Sequence, residues 1–133
     1  MATKGTYIYG LGRRKSATAR VRLYKGKGEI TINDKPAIEY LSNNKGLLAE
    51  ITDPLALANK QNDYDASIRV SGGGLAGQVD AIKLALSKAL TTEMTDLRPI
   101  LKKAGFLKRD PREKERKKYG LRSARKKEQF SKR

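Results

Sequence analysis

Between Ala17 and Leu23 the chain alternates without a break. Ala17, Ala19, Val21 and Leu23 fall on one side, and Thr18, Arg20 and Arg22 on the other. A period of two predicts a half-buried strand whose open face is cationic. Upstream, Tyr7-Ile8-Tyr9 is a short β-prone run that Gly10 and Gly12 are expected to end. Downstream, Lys25-Gly26-Lys27-Gly28 reads as a hairpin turn, and Glu29-Ile30-Thr31-Ile32 as the returning strand. An antiparallel meander of about three strands is thus expected to open the domain.

The period then lengthens. Pro36 suits the first turn of a short helix over Ala37 to Leu41. A second helix is predicted over 45–58 around Leu47, Leu48, Ile51, Leu55 and Leu57, broken and restarted at Asp53-Pro54. After the polar loop Gln61-Asn62-Asp63, residues 65–71 alternate again, with Ala66, Ile68 and Val70 in and Ser67 and Arg69 out. Over 78–91, Val79, Ile82, Leu86 and Leu90 form one helical stripe, with Asp80, Lys83 and Ser87 opposite. Thr95 or Asp96 is placed to cap a further short helix through about Lys103, and Gly105 to end it. The order predicts an α+β fold of two layers, a mostly antiparallel four-stranded sheet with helices on one face.

Charge divides the chain differently. Of its 133 residues 30 are Lys or Arg and 14 Asp or Glu, a net +16. Residues 1–28 carry +8 with no acid, residues 29–101 carry −3, and residues 102–133 carry +11. Residues 106–133 hold only six apolar side chains, too few to offset chain entropy by burial. The division expected is a globular domain over 1–105 and an extended basic tail over 106–133. Fully extended, that tail reaches roughly 90 Å.

Composition excludes several chemistries. Cys, His and Trp are absent, which removes disulfides, thiolate metal sites and Cys/His nucleophile pairs. No apolar run approaches the roughly 18 residues of a membrane span, and Met1–Thr6 has no signal-peptide core. The expectation is an intracellular protein that binds polyanions, without metal, cofactor, membrane or small-molecule substrate.

Candidate chemistry is concentrated in three places. Gly72-Gly73-Gly74-Leu75-Ala76-Gly77 matches a dinucleotide fingerprint, with Glu93 about 20 residues on, but no parallel strand is predicted after the helix. The same glycines also suit a tight strand-to-helix turn, or backbone N–H groups offered to a nucleic-acid phosphate. Asp63/Asp65 and Glu113/Glu115 lack any accompanying catalytic motif, so no catalytic residue is assigned. Arg13, Arg14 and Lys15, with Arg20 and Arg22 on the neighbouring strand, form the first candidate phosphate-binding surface.

The third place is the tail. Lys108, Arg109, Arg112, Arg116, Lys117, Lys118, Arg122, Arg125, Lys126 and Lys127 form clusters with Tyr119 and Phe130 interleaved for stacking. A nuclear-localisation signal, a solubility tail and a membrane-surface segment are the bland alternatives, the last disfavoured by the lack of an apolar helix face. A DNA-compacting protein and a nucleotide-dependent enzyme remain rival functions. The one strong helix offers only Lys83 and Lys88, which suits folded RNA better than a duplex-reading helix.

Four motifs, in order and spanning nearly the whole chain, resemble the small-subunit ribosomal protein S-nine family, bacterial type. They are Gly12-Arg13-Arg14-Lys15-Ser16-Ala17-Thr18-Ala19-Arg20-Val21; Gly72-Gly73-Gly74 with Gly77-Gln78, Ala81-Ile82 and Ala89-Leu90; Arg109-Asp110-Pro111-Arg112 leading to Glu115-Arg116-Lys117-Lys118-Tyr119-Gly120; and Gln129-Phe130-Ser131-Lys132-Arg133. Lys25, Asp80, Lys83, Ala85 and Lys88 depart from that pattern. The resemblance implies the fold of the second domain of ribosomal protein S-five, with a left-handed βαβ crossover. It also implies a structural protein of the small-subunit head. Arg13, Arg14, Lys15, Arg20 and Arg22, the ten tail residues from Lys108 to Lys127 named above, and Gly72, Gly73 and Gly74 would bind 3′-domain rRNA. Ser131, Lys132 and Arg133 would contact the P-site tRNA, and neighbouring head proteins would be partners.

Overall fold

The computed structural model describes residues 6–113, 116–120 and 122–126. Five strands form one mixed sheet: β1 (Ile8–Arg14), β2 (Ala17–Lys25), β3 (Ile30–Ile32), β4 (Lys35–Pro36) and β5 (Tyr64–Ser71). The helices are α1 (Ala37–Tyr40), α2 (Lys45–Leu57), α3 (Leu75–Glu93) and α4 (Arg98–Lys103), with a 3₁₀ turn at Thr95–Leu97. The α+β class and the helical layer match the sequence pattern; the strand count and the pairing do not.

Strand order is β1-β2-β5-β3-β4. Only β1 and β2 form the expected hairpin, closed by Lys15 and Ser16 between the paired Arg14 and Ala17. The predicted pairing of β2 with β3 is wrong. β5 inserts between them, antiparallel to β2 and parallel to β3. The segment 26–29 is therefore a crossover corner, and Asp65 on β5 makes it so. Its Oδ1 accepts the backbone N–H groups of Lys27, Gly28 and Glu29, each at 2.9 Å. Burial raises the cost of charging this carboxylate, but those three amides and the Lys27 charge outweigh it and hold the pKa below the ordinary value. The fifth strand, β4, pairs with β3 across Asn33 and Asp34, both at positive φ (50° and 67°), as a two-residue type I′ hairpin requires.

Gly10 and Gly12 do not end β1. The strand runs through them to Arg14, because the helical layer needs their missing side chains. A methyl on Gly12 would collide with the Ala81 carbonyl oxygen and stand 2.7 Å from the Ala85 nitrogen; one on Gly10 would collide with the Ala85 carbonyl. Ala81, Ala85 and Ala89, spaced by four, are fully buried on this side of α3. Backbone thus packs nearly on backbone.

Pro54 does not break α2, which continues through it with the proline ring buried. The Thr52 hydroxyl donates to the Ala49 carbonyl at 3.0 Å, supplying a bond in the turn beside the proline. The start of α2 is capped by Asn44, whose Oδ1 accepts from Gly46 and Leu47. Ser87, placed on the polar face of α3 by its type, is fully buried and donates to the Lys83 carbonyl at 2.8 Å. A hydroxyl satisfied within its own helix can sit in an apolar layer. Of the other apolar positions in the pattern, Ala17, Ala19, Val21, Leu23, Ile51, Leu55, Ile68, Val79, Ile82, Leu86 and Leu90 are buried, Leu47 and Leu48 are partly buried, and Leu57 is exposed. Phe106 and Leu107 pack against this core from beyond α4.

Candidate nucleic-acid interface

Strand alternation leaves one sheet face free of the α3 layer. Along β1 it presents Tyr9, Leu11 and Arg13; along β2, Thr18, Arg20 and Arg22; along β5, Ser67, Arg69 and Ser71. Register sets these side chains in rows. Tyr9 lies opposite Arg22, Leu11 opposite Arg20 and Arg13 opposite Thr18. Across the next ladder, Arg20 faces Arg69, Arg22 faces Ser67 and Thr18 faces Ser71. Tyr9 is half exposed, and the Arg22 guanidinium lies over the Tyr7 ring at 5.0 Å. Tyr7 also packs against Tyr24, with centroids 5.7 Å apart. A sheet face with arginines and exposed tyrosines can neutralise phosphates and stack bases.

Arg13, Arg20 and Arg22 are brought together here, as the sequence reading expects. Lys15 stands at the exposed hairpin tip with φ 51°. Arg14 is not with them, since adjacent strand residues point to opposite faces. Its side chain is only 14% exposed and is engaged within the chain. Nε donates to Asp80 Oδ2 at 3.5 Å, and Nη1 donates to the carbonyls of Asp110 (3.4 Å) and Arg112 (2.9 Å). Nη2 stands 3.4 Å from Asp110 Oδ2. Arg112 closes the knot. Its Nε lies 3.0 and 2.9 Å from the two Asp110 carboxylate oxygens, its Nη2 2.6 Å from Oδ2, and its backbone N–H 2.9 Å from Oδ1. These bonds hold the Asp110 carboxyl far below the usual carboxylate range and push the Arg112 guanidinium further up. The root of the tail is thereby docked on the end of β1.

Around that knot lies an open cleft of about 250 Å³ between β1, α3 and the tail root, lined by Arg13, Lys83, Lys108 and Arg109 among others. The Lys83 ammonium sits 5.4 Å above the Phe106 ring. Arg13, at the sheet edge, borders both this cleft and the open face.

The glycine turn adjoins the open face through Ser71. Gly72 and Gly73 have φ of 75° and 65°, and a side chain on Gly72 would strike the Ser16 carbonyl. Gln78 pins the turn, its Nε2 donating to the Gly72 carbonyl at 3.1 Å and its Oε1 accepting from the Tyr40 hydroxyl at 2.7 Å. Gly74 is the N-cap of α3 and supplies no side-chain bond to the first helical amides. Among the described residues no strand follows α3, so the context a dinucleotide fingerprint needs is missing.

In the tail, Lys108, Arg109, Arg116, Lys117, Lys118, Arg122, Arg125 and Lys126 are exposed, as is Tyr119. The Arg122 amide donates to the Lys126 carbonyl at 2.8 Å, folding 122–126 into a turn. Lys127, Ser131, Lys132 and Arg133 lie outside the described residues. The sequence reading missed Arg69 and Tyr9 as surface partners of Arg20 and Arg22. The alternation that put Arg69 outward was visible, but its position beside Arg20 depends on the inserted strand.

Among the described residues no group of acids could hold a metal ion, and no helix is long and apolar enough to cross a membrane. Comparison with known proteins gives concordant matches. The family model for ribosomal protein S9/S16 matches residues 12–133. Two curated relatives, both small ribosomal subunit protein uS9, come from Synechococcus sp. strains JA-2-3B'a(2-13) and JA-3-3Ab. Each is 53% identical over 125 residues, which cover 94% of this chain and 92% and 91% of theirs. The chain therefore belongs to the ribosomal protein S9/S16 family, whose members are structural ribosomal proteins and not enzymes.

Proposed function

We propose that this chain is a structural component of the small ribosomal subunit that binds 3′-domain (head) rRNA. The observation that carries the reading is the uncovered sheet face, where Arg13, Arg20 and Arg22 stand together in a chain of this family. Its mechanism is electrostatic: the face and the basic tail over 106–133 replace counterions along rRNA phosphates, while the domain over 1–105 sets their geometry. Gly72, Gly73 and Gly74 add backbone N–H groups at the start of α3, where the helix dipole favours an anion. Lys15, Lys108, Arg109, Arg116, Lys117, Lys118, Arg122, Arg125, Lys126 and Lys127 extend the same contact. Arg14 and Arg112 serve it by anchoring the tail root. Head proteins are the neighbours, and the β3–β5 connection crosses left-handed as in the fold it resembles. Ser131, Lys132 and Arg133 are assigned to the P-site tRNA.

Three measurements test this. A transcript of the small-subunit rRNA 3′ domain should bind the full chain better than duplex DNA at moderate salt. Replacing Arg20 and Arg22 with Ala should lower the salt slope by about 2, and an unchanged slope refutes the sheet-face assignment. Subunits reconstituted with a chain lacking Ser131–Arg133 should assemble normally but hold P-site tRNA less tightly. Equal tRNA retention removes that assignment.

A further inference from the structure

Arg20 and Arg69 are directly opposed across the β2–β5 ladder, and Thr18 and Ser71 form the next pair on the same face. Like charges facing each other across a sheet repel. Among the described residues no acid pairs with Arg20. Arg69 reaches Asp34, with Nη2 at 3.1 Å from Oδ1 and 3.0 Å from Oδ2, and both side chains are well exposed. Asp34 is held there by the type I′ turn. Its neighbour Asn33 locks that turn to β5, donating from Nδ2 to the Val70 carbonyl (3.2 Å) and accepting the Val70 amide on Oδ1 (3.0 Å). Thr18, Arg20, Asn33, Arg69, Val70 and Ser71 line a shallow depression of about 410 Å³. Two guanidiniums and two hydroxyls thus line one open depression with room for a phosphate and its hydration, and the Asp34 carboxylate is bonded to one of the two guanidiniums.

We infer that this depression is a phosphodiester site for one backbone phosphate of the bound RNA, with Arg20 and Arg69 as the paired cations and Asp34 as a resident counterion that the phosphate displaces. The inference rests on the rRNA-binding reading and adds to it the residues that hold one phosphate. Arginine suits the role because its planar fork gives two parallel N–H bonds to a tetrahedral anion. The Thr18 and Ser71 hydroxyls donate to lone pairs that the guanidiniums leave open on the same two non-bridging oxygens. An RNA phosphate relieves the Arg20–Arg69 repulsion, so the two arginines act as a unit. Asp34 competes for Arg69 and weakens the site.

The test is salt-dependent binding of the full chain to a 3′-domain rRNA transcript, with duplex DNA in parallel. Arg20→Ala and Arg69→Ala should each weaken binding about tenfold at 0.1 M salt. Each should reduce the slope of log K against log salt by about 0.9, and the double variant by the same 0.9, because one phosphate is lost in all three. Asp34→Asn should tighten binding about threefold, a gain that disappears in the Arg69→Ala background. Asp53→Asn, which removes an exposed acid on α2, should change affinity less than twofold. Wild-type slopes in the variants, or an Asp34→Asn gain that survives without Arg69, overturn the site while leaving an rRNA preference intact. Coupled losses at Arg20 and Arg69 with equal affinity for DNA keep the phosphate site and overturn the rRNA reading.

Discussion

Gly12→Ala is a single methyl placed where α3 lies nearly on the β1 backbone. That methyl would stand 2.7 Å from the Ala85 nitrogen, 3.1 Å from the Ala81 carbonyl carbon and nearer still to the Ala81 oxygen. Ordinary contact begins at 3.4 Å, and the obstructing atoms are helix backbone that no rotamer change can move. The helix must therefore withdraw from the sheet by roughly an ångström, and such a gap forfeits a quarter to a half of each dispersion contact it opens. Overpacking of this kind costs typically 1–3 kcal/mol, and a backbone clash on the best-buried helix belongs at about 3 kcal/mol. Against a total of about 5–15 kcal/mol that is a large loss. With a urea m-value near 1.5 kcal/mol/M, the unfolding midpoint should fall by about 2 M. Gly74→Ala is the control, for its added methyl has nothing within 4 Å and its φ is −92°. It should leave the midpoint within about 0.3 M. Equal midpoints for Gly12→Ala and wild type would refute the close-approach account of β1.

Asp65→Ala should cost about 2 kcal/mol at pH 7, since it leaves three crossover amides to water. The folded pKa of Asp65 is depressed, so its contribution is complete above the ordinary carboxylate value and is lost as pH falls through the folded value. The gap between variant and wild type in urea titrations should accordingly narrow below about pH 4; a gap that stays constant to pH 2 contradicts the ionised cap. Arg14→Ala should free the tail root while sparing the core. Trypsin should cut after Lys108 and Arg109 about tenfold faster, as expected for loss of about 1.5 kcal/mol of charged hydrogen bonds. Unchanged cleavage would mean that the knot holds nothing.

Local pattern was legible in the sequence wherever one element decides burial by itself. The Ala17–Leu23 alternation, the Val79–Leu90 stripe and the outward Arg20 and Arg22 all follow from periodicity. Pairing was not legible, because the signal that separates β2 from β3 is the side chain of Asp65, 36 residues beyond Glu29. Glycine was ambiguous in the same way: Gly10 and Gly12 look like punctuation until the helix that needs them is in place. Arg13-Arg14 looked like one cluster, but a strand running through the glycines sends Arg13 to the open face and Arg14 to the tail root. The sequence motifs identified the family, yet the Arg20–Arg69 pair became visible only through the β2–β5 register.

The position of β5 also orders events in time. It occupies the centre of the sheet but leaves the ribosome that makes it long after its neighbours, since Lys25 pairs with Tyr64. At about 5–20 residues per second, the inward edge of β2 waits roughly 2–8 s for its partner during synthesis. An unpaired strand edge is an invitation to foreign strands. The inward edge of β2 is therefore open to foreign strands while residues 26–63 are emerging and closes once Ser71 has cleared the exit tunnel, and the apolar face behind it is covered only when α3 follows through Glu93.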